Sequence, residues 1–450
     1  MKDFTLAEIA KACNGEYVGN ESLKNAKITS VERDSRQVKN GSLFLAIKGE
    51  RVDGHDFIEK CFAQGAVCAL CEKAPENATK PCIVVSSTLD AVKKIGKAYR
   101  EKFDIPVIGI SGSVGKTSTK EMLYAVLSQK FKTHKTQGNL NNELGVPLTL
   151  LSMPEDTEAA VIEMGISDFG EMTRLSEMVQ PTICVLTIIG ECHLENLGDR
   201  DGVLKAKTEM FKNARKNADF ILNGDDDKLS TVKTVNGKKP VFFGLDAKND
   251  FYAKNIKNSG DGKVLATLCF DNNNIDVEIP AIGTYMVTNA LAAAAAGKLL
   301  GLTDEEIANG VASYKTVGSR ANVINTGKIK IIDDCYNANP TSVRASLDTL
   351  SNLDGRKVAI LGDMKELGSE ELKLHFDTGV YAKSKGIGTV ITVGELAKEL
   401  AKGADGKAFD TIKDAKSEIL KTIKSGDVVL VKASHSMQFE NIVEFLKQNF

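Results

Sequence analysis

The segment VIGISGSVGKTSTKEML, residues 107–123, joins a short apolar run to a turn that contains glycine and serine, and then to a helical pattern. The apolar run 106–110 predicts a buried strand, and the apolar residues at 122, 123, 126 and 127 lie on one face of a helix. This order of strand, tight turn and helix is typical of a loop that binds phosphate groups.

The residue types in the turn favour the same function. Gly112 and Gly115 allow the backbone to approach phosphate oxygens, and the first turn of the helix presents unpaired N–H groups. Lys116 is spaced to reach terminal phosphates, and Thr117 is spaced to bind Mg²⁺. The longest form of the motif has glycine at the position of Ile110, so a structural glycine-rich turn stays open as an alternative. We predict a nucleoside triphosphate site.

The composition fits a folded protein of several domains. The chain has 450 residues, of which 42% are hydrophobic and 26% are charged. A single hydrophobic core stops growing near about 250 residues, so we expect two to four domains. The formal net charge of -2 provides no basic surface for nucleic acid or for an anionic membrane. Bound phosphate must therefore be held by a local site.

The N-terminus and the cysteines predict a cytoplasmic protein. Residues 1–15 carry charges where a signal peptide has its apolar core, and no segment approaches the about 20 apolar residues of a membrane span. The nine cysteines do not indicate a disulfide framework. Cys68 and Cys71 are three residues apart in an extended run, so their side chains should point to opposite faces. We predict structural cysteines instead of a metal or redox pair.

The order of apolar runs predicts an α/β protein. Residues 1–103 mix short strands with helices and end in an amphipathic helix. In residues 104–316, apolar runs alternate with helix-length segments, which indicates a parallel sheet with crossover helices, followed by a β-rich part and two helices. Residues 317–450 repeat the alternation in a doubly wound style, with a helix that starts at Pro340. This last part lacks the glycine pattern of a dinucleotide site.

Several polar residues follow the predicted strands of the central part. Glu163 ends one strand, His193 follows the next, and Asn223 and Asp225 follow a third. Ligands of parallel sheets bind beyond the carboxyl ends of the strands, so these residues should share one rim with Lys116. Each of them alone would be read as a solvated or structural residue. Together they predict a site for a nucleotide and its magnesium ion.

The chain resembles the Mur ligase family along its whole length. The shorter family loop G-x-x-G-K-[ST] accounts for Ile110. The resemblance rests on the segments DSRQVKNGSLFLAIKGERVDGHDF (34–57), GSVGKTSTKEM (112–122), GNLNNELGVPLTLL (138–151), EMG (163–165), AKTEMF (206–211), TNALAAAA (288–295), DDCYNANPTSV (333–343), LGDMKELG (361–368) and VLVKASHSM (429–437).

This resemblance implies an ATP-dependent ligase of three domains. These would be a UDP-substrate-binding N-terminal domain (1–103), a central P-loop ATPase-like domain (104–316) and a C-terminal Rossmann-like domain (317–450) that closes over the site. The motifs YNANP and LGDMKELG are typical of the branch that couples D-alanyl-D-alanine to UDP-N-acetylmuramoyl-tripeptide, so these small molecules are the implied substrates. The implied cofactors are ATP and Mg²⁺, and we expect a monomer.

The resemblance also implies roles for single residues. Implied ATP contacts are Gly112, Ser113, Gly115, Lys116, Thr117, Ser118, Asn289, Arg320 and Asp334. Implied magnesium ligands are Thr117, Glu163, His193 and a carbamylated Lys207, and the implied catalytic residues are Lys116, Lys207, His193 and Arg320. Implied substrate contacts are Ser35, Arg36, Asn139, Asn142, Tyr336, Asn337 and Asn339. The usual family pattern is not kept at Tyr285, Met286, Ala433 and His435.

By its spacing alone, Lys207 would be read as part of a solvated helix face, because it lies among other lysines.

The implied reaction is phosphorylation of a carboxylate by ATP, followed by attack of an amine on the acyl phosphate. Three alternatives stay open: a related amide ligase for a single amino acid, a P-loop kinase or motor ATPase, and a nucleotide-binding scaffold without chemistry.

Overall fold

The computed structural model describes residues 1–259 and 262–450. Its strands form four sheets, three of which are mainly parallel and flanked by helices. The α/β class and the three-domain architecture predicted from the sequence are confirmed. Within the described residues, no helix is long and apolar enough to cross a membrane.

The N-terminal part forms a sheet of five short strands in the order β1-β5-β4-β3-β2, with only β1 antiparallel to its neighbour. Its elements are α1 (Leu6–Cys13), β1 (Glu16–Val18), β2 (Ser30–Glu32), β3 (Ser42–Leu45), α2 (Ile58–Ala63), β4 (Cys68–Cys71), β5 (Cys82–Val84) and α3 (Thr88–Glu101). Cys68 and Cys71 pack into cores on opposite faces of β4, as predicted. All nine cysteines lie in the described residues, and they are buried and unpaired.

The central part contains a fully parallel sheet in the order β11-β10-β9-β6-β8-β7. Its elements are β6 (Val107–Ser111), α4 (Lys116–Leu127), β7 (Thr133–Lys135), α5 (Gly145–Leu151), β8 (Ala159–Glu163), α6 (Glu171–Val179), β9 (Ile183–Leu186), α7 (Leu194–Leu197), α8 (Arg200–Thr208), β10 (Asp219–Asn223) and β11 (Val241–Phe243). The predicted parallel strands are therefore confirmed. Because β6 lies between β8 and β9, the loop after β6 opens at the middle of the rim.

An antiparallel sheet and two helices complete the central part. They are β12 (Tyr252–Ser259), β13 (Lys263–Phe270), β14 (Asn273–Ile279), α9 (Tyr285–Leu299) and α10 (Asp304–Ala312). The alanine-rich α9 is fully buried along most of its length and packs on α4. Small side chains allow this close packing, which also holds the phosphate-loop helix in place.

The C-terminal part is a doubly wound sheet in the order β15-β16-β20-β17-β18-β19, parallel except for the edge strand β15. Its elements are β15 (Asn322–Asn325), β16 (Lys330–Asp333), α11 (Pro340–Ser351), β17 (Arg356–Gly362), α12 (Glu371–Ser384), β18 (Thr389–Val393), α13 (Ala397–Ala404), β19 (Lys407–Phe409), α14 (Ile412–Thr422), β20 (Asp427–Lys432) and α15 (Glu440–Asn449). Pro340 starts α11 as predicted, and Asn339 caps it.

The N-terminal and central parts share one hydrophobic core. Ile95 and Tyr99 of α3 pack in the same buried cluster as Val146 and Met153 of the central part. The hydroxyl of Tyr99 donates a hydrogen bond to the carbonyl oxygen of Met153 at 2.8 Å. Burial of such side chains is worth about 1.5–3 kcal/mol each, so it stabilises this junction. The C-terminal sheet has its own two clusters.

Candidate active site

The loop between β6 and α4 has the geometry of an anion site. Gly112 and Gly115 have φ values of +148° and +84°, which favour glycine. A Cβ on Gly112 would lie 2.0 Å from the hydroxyl oxygen of Thr187. Gly115 begins α4 without a side-chain cap, so the first N–H groups of the helix point into the loop. The ammonium group of Lys116 donates to the carbonyl oxygen of Gly112 at 2.8 Å and thus lies over the loop.

The loop forms one wall of a cavity of about 540 Å³ between the central and C-terminal sheets. Most of the residues predicted for the site line this cavity. They are Ser113, Gly115, Lys116, Thr117, Ser118, Asn142, Glu163, His193, Asn223, Asp225, Asn289, Arg320, Asp334, Tyr336, Asn337 and Asn339. The predicted convergence of Glu163 and His193 on the rim that carries Lys116 is therefore present in the structure.

Glu163 brings oxygen ligands next to the phosphate loop. Its carboxylate is almost fully buried and accepts hydrogen bonds from the hydroxyl of Thr117 at 2.9 Å and from the amide of Asn141 at 2.8 Å. The ammonium group of Lys120 is 3.6 Å from the same carboxylate. A carboxylate and a hydroxyl beside a phosphate site are ligands that suit Mg²⁺. Among the described residues, no three His, Cys, Asp or Glu side chains form a metal cluster.

His193 is held as a neutral side chain at the start of α7. Burial lowers its pKa to about 4, and the nearby charges of Lys207 and Lys116 act in the same direction. Its backbone is left-handed, with a φ of +52°. The Nδ1 atom lies 2.6 Å from Oε2 of Glu366 in the C-terminal part, although the contact is not aligned as a hydrogen bond. At neutral pH the ring keeps a lone pair for a metal ion.

Lys207 is buried in α8, with 1% of its surface exposed. Burial lowers its pKa to about 8, Lys116 lowers it further, and Cys192 raises it. Within the described part of the chain, its ammonium group makes no hydrogen bond or ion pair. The interpretation of Lys207 as part of a solvated helix face is therefore wrong. Lys207 is not among the residues that line the cavity, but its charge lowers the pKa of His193.

The C-terminal part contributes a cation and an aromatic ring. Cζ of Arg320 lies 3.5 Å from the ring centre of Tyr336, and the ring of Tyr336 stacks on that of His435 with centres 5.6 Å apart. The side chain of Asn339 accepts from the backbone N–H of Ser342 at 2.8 Å as the cap of α11. Asn339 therefore has a structural role besides lining the cavity.

Asn289 also has partners inside the protein. Its side-chain oxygen accepts from the hydroxyl of Thr119 at 2.9 Å, and its Nδ2 donates to the sulfur of Met286 at 3.4 Å. Tyr285 lines the cavity beside it. The predicted contact of Asn289 with adenine stays a prediction.

Three predicted substrate residues lie outside this cavity. Ser35 is half-buried and Arg36 is exposed in the turn after β2, and the guanidinium of Arg36 pairs with Asp34 at 2.7 Å and holds the pKa of that carboxyl at about 2. Asn139 is exposed in the loop before α5. A fourth predicted substrate residue, Asn142, does line the cavity. Its side-chain oxygen accepts a hydrogen bond from the backbone N–H of Gly145 at 2.8 Å.

Two further residues, Asn141 and Lys432, line the cavity without having been predicted from the sequence. Asn141 bonds to Glu163, and Lys432 ends β20 at the cavity. The strand-end rule applied to Glu163 could have found Lys432, because it also follows a buried apolar run. Asn141 gives no such signal, since its contact with Glu163 depends on the packing of a loop.

Comparison with known proteins assigns this fold and site to a class of enzymes. Three protein-family models match the chain. The model described as "Mur ligase family, catalytic domain" matches residues 27–111, the "Mur ligase middle domain" model matches residues 110–297, and the "Mur ligase, glutamate ligase domain" model matches residues 319–435. The chain belongs to the Mur ligase family and is an ATP-dependent ligase.

Individual relatives are more specific. The chain is 36% identical to the UDP-N-acetylmuramoyl-tripeptide-D-alanyl-D-alanine ligase of Bacillus subtilis, over 98% of both chains. It is 34% identical to the enzyme of the same name from Escherichia coli, over 100% of this chain and 99% of that one. Among solved structures, MurF from Acinetobacter baumannii superposes with a TM-score of 0.91 at 32% identity, over 100% and 99% of the two chains. The structure of the Thermotoga maritima MurF ligase in complex with ADP superposes with a TM-score of 0.84 at 30% identity, over 93% of this chain and 97% of that chain.

Proposed function

We propose that the chain is an ATP-dependent ligase that joins D-alanyl-D-alanine to UDP-N-acetylmuramoyl-tripeptide in peptidoglycan precursor synthesis, with formation of ADP and phosphate. Relatives named for this activity match the chain along its full length. The observation that carries the proposal is the cavity in which Lys116, the Thr117–Glu163 pair and Arg320 face one space between two domains. We expect the reaction in the cytoplasm, where ATP and UDP-linked precursors are available.

The chemistry requires activation of a carboxylate, because a free carboxylate is a poor electrophile. The carboxylate oxygen of the tripeptide attacks the terminal phosphorus of ATP, and ADP leaves. The amine of the dipeptide then attacks the acyl carbon of the acyl phosphate, phosphate leaves, and the amine loses a proton. Lys116 and Arg320 reduce the repulsion between carboxylate and triphosphate. Loop amides at the start of α4 orient the phosphates.

The residues at the rim fit a magnesium site. Thr117 and Glu163 offer hard oxygen ligands, and neutral His193 offers a nitrogen lone pair. When bound, Mg²⁺ would neutralise phosphate charge and so favour the approach of the carboxylate.

We also propose that Lys207 is carbamylated. In this reaction the neutral amine attacks CO₂, a proton leaves, and the product is an anionic carbamate. The pKa of about 8 supports the proposal, because it leaves a larger neutral fraction at pH 7 than an ordinary lysine has. Burial without an anionic partner supports it too, since the modification replaces an unpaired buried cation by an anion that can face a metal.

The division of labour among domains is part of the proposal. Residues 1–103 would bind the UDP end through Ser35 and Arg36, residues 104–316 would bind ATP, and residues 317–450 would close the site. Asn139 and Asn142 would contact the UDP-sugar, and Tyr336 and Asn337 the peptide end. Asp334 and Asn289 would contact the nucleoside. We expect the chain to work as a monomer.

The direct test measures phosphate release with ATP, Mg²⁺ and UDP-N-acetylmuramoyl-tripeptide, with and without D-alanyl-D-alanine. We expect release only with the complete set, and a product mass that equals the two substrates less water. Equal release with no UDP-linked acceptor would indicate a kinase or motor ATPase. Release only with a single free amino acid would indicate a different amide ligase.

Lys116→Ala tests the phosphate loop in the same assay. We expect phosphate release to fall at least about 100-fold, because the main positive charge near the terminal phosphates is lost. Lys130, which donates to backbone carbonyls after α9, offers the control Lys130→Ala. Retained activity in Lys116→Ala would remove the loop from the mechanism.

A further inference from the structure

Lys432 has a buried ammonium group at the edge of the cavity. Only 3% of the residue is exposed. Its Nζ lies 2.6 Å from Oδ2 of Asp334 and donates to the carbonyl oxygen of Asn337 at 3.0 Å. A buried ion pair adds little net stability, because desolvation offsets the attraction between the charges. The main effect of this pair is to fix the position of the groups that it joins.

The carboxylate of Asp334 connects three elements of the C-terminal part. Its Oδ1 accepts from the backbone N–H of Ala321 at 3.1 Å, just before β15. Its Oδ2 accepts from the hydroxyl of Ser346 in α11 at 2.7 Å, and from Lys432 at the end of β20. Without Lys432, this half-buried carboxylate would lose its only cation among the described residues.

The backbone at Ala321 is strained. Its φ is +53°, a left-handed conformation that residues with a Cβ rarely adopt. Such strain persists only where neighbouring contacts fix the chain. Here the N–H of Ala321 is held by Asp334, and the carbonyl oxygen of Ser319 accepts from the N–H of Tyr336 at 3.1 Å. The segment 319–321 is thus anchored on both sides of Arg320.

Arg320 is the residue that this anchored segment presents to the cavity. Its guanidinium lies on the ring of Tyr336, with Cζ 3.5 Å from the ring centre. The ring attracts the cation and limits its rotation. The direction of the side chain is therefore set by the backbone at Ala321 and by the ring.

We propose that Lys432 is a positioning residue for catalysis: by holding Asp334, it fixes the strained backbone at Ala321 and so aims the guanidinium of Arg320 at the triphosphate. The inference rests on the proposed function, which gives Arg320 its role. Lys432 acts through Arg320, so its loss should lower kcat more than it raises KM for ATP.

The test is a double-mutant cycle on kcat with Lys432→Met and Arg320→Ala. Methionine keeps most of the length of the side chain and removes its charge. We expect Lys432→Met to lower kcat about 10- to 100-fold, since a misplacement of about 1 Å costs about that much. In the Arg320→Ala background, the same substitution should change kcat by less than about threefold. If the loss of kcat in the double mutant equals the product of the losses in the two single mutants, the two residues act independently and the proposal is wrong.

Arg356→Met is the matched control. Arg356 pairs with Asp427 at 2.5 Å at the opposite end of β20, and Asp427 is as buried as Lys432. We expect this variant to lower the unfolding temperature and leave kcat unchanged. If Arg356→Met lowers kcat as much as Lys432→Met does, the effect is a general loss of stability and the proposal is wrong.

Ala321→Gly serves if Lys432→Met does not fold. Glycine adopts a positive φ without strain, so this variant should be stable, yet its backbone no longer fixes Arg320. We expect kcat to fall at least about threefold with an unchanged unfolding temperature. Unchanged kcat would overturn the proposal.

The proposed function can fail separately. In that case the wild-type protein shows no release of phosphate that depends on the dipeptide. The cycle is then measured on ADP affinity by calorimetry, where coupling between positions 432 and 320 supports the positioning role and simple additivity overturns it.

Discussion

At the scale of single residues, burial separates Lys207 from the other lysines of α8. Lys205 is exposed two positions away, whereas Lys207 is 1% exposed. The two residues are chemically identical, so only their environments differ. Desolvation lowers the pKa of Lys207 to about 8, which leaves it a larger neutral fraction at pH 7 than an ordinary lysine has.

Lys207→Arg should lose ligase activity almost completely, by at least about 100-fold, because arginine keeps the charge but cannot form a carbamate. The measurement is dipeptide-dependent phosphate release. Lys205→Arg is the control on the same helix and should keep wild-type activity. Wild-type turnover by Lys207→Arg would exclude a carbamylated lysine from the mechanism.

Protonated Lys207 should also lower the free energy of unfolding of the protein below pH 8. Its folded pKa of about 8 is lower than the unfolded value of 10.5, so the folded state disfavours the bound proton. This penalty is fully present below pH 8 and disappears as the pH rises towards 10.5. In CO₂-free buffer, Lys207→Met should therefore have a larger free energy of unfolding than the wild type at pH 7.

Urea titrations of both proteins at pH 7, 8 and 9.5 measure this effect. The advantage of Lys207→Met should shrink from pH 8 upwards. A difference between the two proteins that does not change with pH would show that the side chain is not held as a desolvated cation.

At the scale of elements, the unit β6–loop–α4 depends on a close approach between neighbouring strands. The hydroxyl of Thr187, just after β9, donates to the carbonyl oxygen of Val114 at 2.5 Å. The same hydroxyl occupies the space that a Cβ on Gly112 would need. The glycine thus serves the packing of the loop as well as its backbone conformation.

Gly112→Ala should weaken ATP binding at least about tenfold, because the loop must move away from Thr187. Its backbone amides then no longer point at the phosphates. Calorimetric titration with ATP measures the affinity. Gly388→Ala is the control, since a Cβ there meets no atom within 4 Å and its φ is not left-handed. Equal ATP affinity in both variants would contradict the steric argument.

At the scale of the whole molecule, a few polar contacts join the central and C-terminal parts across the cavity. The hydroxyl of Thr341 at the start of α11 donates to the carboxylate of Glu191 at 2.5 Å. The N–H of Leu194 donates to the carbonyl oxygen of Glu366 at 3.1 Å. Glu191 and Leu194 are close neighbours of His193 in the chain, so these contacts lie beside the proposed metal site.

Thr341→Val should weaken the closed arrangement by about 1–2 kcal/mol, because it removes a hydrogen bond to a carboxylate without changing the side-chain volume. Less complete closure admits water, which hydrolyses the acyl phosphate. We expect fewer peptide bonds per phosphate released, measured by product mass and phosphate in one reaction. Ser351→Ala, at the far end of α11, should keep the wild-type ratio.

The sequence predicted most of the fold because its signals are local. The continuous apolar runs that form β6, β8, β9 and β10 are recognisable in the sequence because helix-length segments separate them, and Pro340 marks the start of α11. The short strands β7, β11 and β19, of three residues each, give too few positions for an alternating pattern.

What the sequence by itself determined is the phosphate loop, the α/β class and the residues at the ends of the central strands, since each depends on neighbours in the chain. Only the tertiary structure decided that Lys207 is desolvated, and that Lys432 and Asp334 anchor the segment of Arg320. Lys432 and Asp334 lie 98 residues apart in the sequence. Burial and long-range contacts depend on how the sheets pack, and no local pattern encodes them.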